Sequence, residues 1–124
     1  MKKSTLEKGK IPPQALELED AILGALMIDK RGIVEIDFLE HSMFYREDNQ
    51  LIFKAIKDVY IKSGNVDLLT VSNQLKKDGN LDFIGGDFRL VGLTQKVSSS
   101  AHIETHARII VQKSIQRGLI NISS

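Results

Sequence analysis

Two histidines four residues apart, in His102-Ile103-Glu104-Thr105-His106, are the chain's nearest approach to a metal site. On a helix, positions i and i+4 share a face, as zinc ligands must. The zinc-protease motif sets its glutamate directly after the first histidine. Here Glu104 lies two residues on and points to another face, and no third ligand follows. The pair reads as surface or packing histidines, and His41 has no sequence neighbour to orient it as a base. Gly85-Gly86 ahead of a helix resembles part of a phosphate loop. No strand precedes it, and the further glycine and the lysine are missing, so it reads as a turn. There is no GxxxxGK[ST] segment for nucleotide. The absence of cysteine excludes disulfides, thiolate zinc sites and cysteine nucleophiles. The carboxylates are dispersed as helix caps and solvent-facing charges. The sequence therefore assigns no catalytic, cofactor-binding or metal-ligating residue, and its chemistry is that of a helical interaction module.

The elements that carry these residues are helical. Pro12-Pro13 favours extended backbone before it and a preset first helical turn after it, with Glu17, Glu19 and Asp20 collected near the positive end of the helix. Ala15, Leu18, Ile22, Ala25 and Leu26 then recur at helical spacing, flanked by Leu16, Leu23 and Met27, as far as Ile28. Glu19 falls inside that apolar arc, and the expectation for it is bonding to nearby backbone amides. Residues Ile33 to Phe44 suit one or two short turns around Ile36, Phe38 and Leu39. Asp48 reads as an N-cap for a helix carrying Leu51, Ile52, Ala55, Ile56, Val59 and Tyr60 and closing on Gly64. Leu68, Val71 and Leu75 mark a shorter helix ending at Gly79. Phe88, Leu90, Val91, Leu93 and Val97 are the apolar positions of the next, and Ser98-Ser99-Ser100 is expected to cap the last. In that last helix Ile103, Ala107, Ile110, Val111, Ile115 and Ile122 fill one side while Ile109 and Ile120 lie opposite, so two neighbours are expected. No segment alternates as a strand would. The fold class is all-α, a compact bundle of five or six short helices.

A chain of 124 residues, 42% of them apolar, buries roughly two-thirds of its unfolded surface and is expected to form one domain. No apolar run approaches the ~20 residues of a membrane span, and Met1 to Lys10 is a charged arm rather than a signal peptide, so the expected compartment is the cytoplasm. The net charge of +1 is unevenly placed: the first ten residues carry +3 and residues 101–124 carry +2, which leaves −4 on residues 11–100. An acidic body lacks the footprint of an autonomous nucleic-acid binder. Direct DNA binding is expected to be weak or absent, and any service to nucleic acid to run through protein partners.

Several segments taken in order resemble one family. Ile11-Pro12-Pro13-Gln14-Ala15-Leu16-Glu17-Leu18-Glu19 leading to Leu23-Gly24-Ala25-Leu26 is similar to the opening of bacterial replicative DNA helicases of the DnaB family. Phe44-Tyr45 before Asn49 to Phe53, Gly64 to Val71, Leu81 to Gly86, and Ala101 to Val111 with Ala107-Arg108-Ile109-Ile110 resemble the rest of that family's N-terminal domain. The resemblance covers about Ile11 to Ile120. It implies a basic arm over 1–10, a helical head over 11–97, and a long helix over 98–124 that is the first arm of a truncated helical hairpin. In the family such domains form a collar on a hexameric ring, dock the C-terminal domain of primase and in some bacteria a helicase loader. ATP and Mg belong to the motor of a separate C-terminal domain, so the resemblance implies a non-enzymatic part of an ATP-dependent helicase.

Three departures bear on sites. Arg89 stands where the family often has tyrosine, in a neighbourhood that contributes to partner docking. Thr105-His106 stands where aromatics are common, which favours packing for His106. With the returning arm absent, Ile109 or Ile120 is expected to lack its cover. The residues expected at a partner or oligomer interface are Arg89, Ile109, Ile115, Leu119 and Ile120, with self-association reduced to a monomer or weak dimer. The alternative is a small nucleic-acid-binding module using the basic arm with Arg108, Lys113 and Arg117.

Overall fold

The computed structural model describes residues 11–96 and 102–123, with side chains through 119. Within them the chain forms α1 (Leu16–Ile28), α2 (Gly32–Glu35), a 3-10 turn (His41–Met43), α3 (Glu47–Ser63), α4 (Leu68–Lys77), α5 (Gly86–Gln95) and α6 (Ile103–Ser123), with no strand among the described residues. This is the expected all-α class. The arm over 1–10, Val97, the serine cap at 98–100 and the side chains of Ile120 and Ile122 lie outside the described residues.

The first helix is the centre of the bundle. It packs against each of the other five helices, and Ile22, Leu23, Gly24, Ala25, Leu26 and Met27 are all buried. A helix that touches neighbours on several sides must be apolar on several sides, which is why Leu23 and Met27 join the stripe at helical spacing. Its start differs from the expectation. Ala15, in a non-helical conformation, is the N-cap, and its carbonyl accepts from the Leu18 and Glu19 N–H groups. The two prolines therefore lead into the helix from outside its first turn.

Around α1 the core is completed by Ile52, Phe53 and Ile56 of α3, Val71 and Leu75 of α4, Leu90 and Leu93 of α5, and Ile103, Ala107 and Ile110 of α6. Phe44 stacks on Phe53 with ring centroids 4.9 Å apart, so the segment before α3 is tied to that helix. The short turns fall on either side of Ile36 and Leu39, which are buried between them. Gly32 is where α2 meets α6: a Cβ there would lie 2.9 Å from Ile103 Cδ1.

Local chemistry sets the ends of the middle helices. Gly64, at φ 71°, closes α3 by donating to the carbonyls of Tyr60 and Val59. Asp67 and Thr70 form a reciprocal capping box on α4: Thr70 N–H donates to Asp67 Oδ1 at 2.8 Å and Asp67 N–H to Thr70 Oγ1 at 2.9 Å. The cap expected at Asp48 is not made. Arg46 is the N-cap of α3, and Asp48 lies inside the first turn, paired with the Arg46 guanidinium. Nor does α5 bury all its apolar residues, since Phe88 is 89% exposed and Val91 38%. Only the face with Leu90 and Leu93 meets the bundle.

Candidate interaction surface

Arg46 caps α3 without a side-chain bond of its own, and the amides before that helix are instead satisfied by a residue from another helix. Glu19 of α1 is 1% exposed, and its carboxylate accepts from Tyr45 N–H at 2.6 Å, Asn49 Nδ2 at 3.0 Å and, more loosely, Arg46 N–H at 3.4 Å. The expectation that Glu19 would bond amides holds, but they belong to the start of α3 rather than to its own helix. A buried carboxylate is tolerable because each oxygen is met by donors.

Asn49 passes the connection on. It is fully buried; its Nδ2 also donates to Asp20 Oδ1 at 3.3 Å, and its Oδ1 accepts from Arg89 Nη2 at 2.6 Å. Arg89 Nη2 is 3.2 Å from Asp20 Oδ1, and Lys96 reaches the other Asp20 oxygen at 3.4 Å. Arg89 is thus a mostly buried tie between α5, α3 and α1, and its guanidinium is turned into the protein. Sequence reasoning did not find Asn49. The available signal was its position on the buried stripe of α3 with Ile52, Phe53 and Ile56.

Above this cluster lies a cleft of about 560 Å³ lined by Phe83, Ile84, Phe88, Leu93, Arg46 and Lys96, among others. Phe83 is 59% exposed, so two aromatic rings flank the cleft with cations beside them. Exposed aromatics next to cations are the composition of a protein-binding patch. Arg89 Nε and Asp48 Oδ1, both buried in the wall of the cleft, have no partner among the described residues.

The interface residues expected on α6 lie away from this cleft. Ile103, Ala107 and Ile110 seat the helix on the head, and Ile109 is half-buried beside them. Between 111 and 119 no side chain is fully buried, and Ile115 and Leu119 are 58% and 60% exposed. The stripe expected to run on through Ile115 is therefore fully buried only as far as Ile110, with Val111 partly buried against the core and Ile115 exposed. One polar anchor holds the later stretch: Arg117 donates from Nη1 to Pro13 O and from Nη2 to Met43 O, both at 2.8 Å, and its guanidinium lies 5.3 Å from the Tyr45 ring centre. Arg108 covers Phe38 at 4.3 Å and pairs with Glu104. Two of the three cations required by the nucleic-acid alternative are thus engaged within the protein.

His102, just before α6, and His106 on it have ring centres 6.3 Å apart, the first exposed and the second half-buried. Among the described residues no three His, Cys, Asp or Glu side chains cluster as metal ligands. Gly85 and Gly86, at φ 104° and 72°, form a turn in which Gly86 N–H donates to Leu81 O at 2.9 Å. At the far end of α1, the Arg31 side chain donates to Asp29 and holds that carboxyl well below the usual range, at about 2. No described helix is long and apolar enough to cross a membrane.

Known proteins are similar to this chain in sequence and fold. Residues 11–112 match the family described as DnaB-like helicase N terminal domain. The replicative DNA helicase DnaB of Rhodothermus marinus is 41% identical over 112 residues, covering 90% of this chain and 12% of that protein. The DnaB of Geobacillus stearothermophilus is 38% identical over 122 residues, covering 98% and 27% respectively. The chain thus spans about a quarter or less of the length of these relatives. The crystal structure of the N-terminal domain of DnaB helicase from Mycobacterium tuberculosis superposes with a TM-score of 0.87 at 32% identity, covering 91% of this chain and 81% of that one.

Proposed function

This chain belongs to the DnaB-like helicase N-terminal domain family, and from that premise we propose that it is the oligomerisation and partner-docking domain of a hexameric, ATP-dependent replicative DNA helicase. Its working place is then the cytoplasm, and ATP and Mg serve a motor elsewhere in the parent protein. The partners are further copies of the domain, the C-terminal domain of primase and, in some settings, a helicase loader.

The observation that carries the reading is the split character of α6. Its first half is sealed into the head, whereas its second half presents Ile115 and Leu119 to solvent. Apolar side chains at i and i+4 on an otherwise seated helix suit the arm of an intersubunit helical pair. The cleft with Phe83 and Phe88 supplies a second surface for the primase domain. Arg89 serves it by holding α5 in place.

Magnitudes set what this chain does alone. Ile115 and Leu119 are already partly covered, so burying the rest of them is worth roughly 2 to 4 kcal/mol per chain, against an association cost of roughly 4 to 15 kcal/mol. The chain by itself is expected to be a monomer or weak dimer in dilute solution. Sedimentation equilibrium should find association only at high concentration, and Leu119→Glu should remove it. A tight hexamer at micromolar protein, or self-association indifferent to Leu119→Glu, would overturn the assignment of this interface.

A further inference from the structure

The four residues Met43 to Arg46 are gripped from two directions. From the α6 side, Arg117 Nη2 bonds Met43 O at 2.8 Å while the guanidinium lies over the Tyr45 ring. From the core side, Glu19 takes the Tyr45 N–H at 2.6 Å. Asn49 ties Glu19 to Arg89, which stands on α5. Gln50 Nε2 adds a bond to Phe44 O at 2.8 Å. The path Arg117, Met43–Tyr45, Glu19, Asn49, Arg89 is a continuous chain of short contacts from the arm helix to the helix that carries Phe88. Every link has a definite donor and acceptor.

We propose that this segment is a relay coupling the face of α5 to the seat of α6. The relay has two arrangements. In the seated one, seen in the structure, Arg117 forks onto Pro13 O and Met43 O. In the released one, those bonds are open and α6 pivots where its buried stripe ends, at Ile110. Released motion is confined to the later half because nothing from 111 to 119 is fully buried. The lever is long: at 1.5 Å per residue, Leu119 lies about 13 Å beyond the pivot, so a swing of about 20° moves it by about 5 Å. Force applied to α5 reaches the lever through Arg89 and Asn49, because Asn49 Nδ2 and the Tyr45 N–H share the Glu19 carboxylate. The coupling does not depend on which partner occupies the α5 face.

The absence of cysteine makes the test direct. Nitroxide labels at Lys76→Cys on α4 and Leu119→Cys on α6, both exposed positions, report the arm's angle by pulsed electron-spin distance measurement in the full chain. The labelled parent should give one narrow distance. Arg117→Gln should broaden it by about 5 Å or add a second population, and Arg89→Met should do the same from the far end of the relay. Lys62→Met, which removes a bond to Gln74 outside the relay, should leave it unchanged. A narrow distance in Arg89→Met beside a broadened one in Arg117→Gln would overturn the relay, and two narrow distances would overturn the latch as well. If Arg89→Met loses its helical circular dichroism, Arg89→Lys takes its place, with amide exchange as the readout. Amides 113–119 should then exchange at least about threefold faster relative to 104–110. An unchanged ratio would refute the coupling.

Discussion

Replacing Glu19 with alanine removes the acceptor at the centre of the polar cluster. Two of its contacts are short, to Tyr45 N–H at 2.6 Å and Asn49 Nδ2 at 3.0 Å, while the Arg46 contact at 3.4 Å is weak. A hydrogen bond to a charged group contributes about 1.5 to 3 kcal/mol, and breaking a buried charged partnership costs about 3 to 5 kcal/mol because the donors left behind stay dry. The residue is 1% exposed, so water does not replace the carboxylate without rearrangement. We expect Glu19→Ala to lose about 3 to 5 kcal/mol of a total near 5 to 15 kcal/mol. The chain has no tryptophan, so urea unfolding should be followed by far-ultraviolet circular dichroism. Glu17→Ala is the control, because Glu17 is exposed on the same helix turn and its removal should change stability by less than about 0.5 kcal/mol. Glu19→Gln should fall between them, since its amide offers one acceptor but meets the second donor with an N–H. A loss under about 1 kcal/mol for Glu19→Ala, or one equal to that of Glu17→Ala, would mean that the carboxylate does not hold these donors.

Asp67→Ala should cost about 1 kcal/mol in the same urea assay, because it dissolves one half of the capping box that starts α4. Gly85→Ala should cost about 1 to 3 kcal/mol, since its φ of 104° suits glycine alone and a Cβ would sit 3.1 Å from Arg89 Cβ; thermal unfolding reads it directly. Carbon-detected titration should find the Asp29 carboxyl protonating at about 2, and Arg31→Ala should return it to the ordinary range. The sign follows from that depression: the Asp29 contribution is complete above the ordinary carboxylate value and is lost as the pH falls toward about 2.

Much of the fold could be read from local chemistry. Gly64 and Gly79 end helices because a left-handed residue is needed there, and both are glycines at positive φ in the structure. The apolar spacing of α3 and the first half of α6 also appears as buried residues. What could not be read is what depends on distant chain. Glu19 stood out as a carboxylate within an apolar arc, but its donors lie on Tyr45 and Asn49, and no local rule links those positions. Arg117 has the same difficulty, because its two carbonyl partners, Pro13 and Met43, meet at one guanidinium but are far apart in the chain and far from Arg117 itself. Phe88 misled by type: a large aromatic in a helix suggests core, yet α5 is a peripheral helix whose inner face is filled by Leu90 and Leu93. Ile115 continues the stripe begun by Ile103, Ala107 and Ile110, yet it is 58% exposed because the head covers only the first part of that stripe, a limit that periodicity does not mark.

If this helical head is a docking domain, as proposed, it binds the C-terminal domain of the same organism's primase, and calorimetric titration measures that binding. Saturable binding is expected, weakened by about 1 kcal/mol or more in Phe88→Ala and unchanged in Glu17→Ala, an exposed site on α1. Absence of binding to this chain and to the longer helicase alike, or binding indifferent to Phe88→Ala, would contradict the docking role.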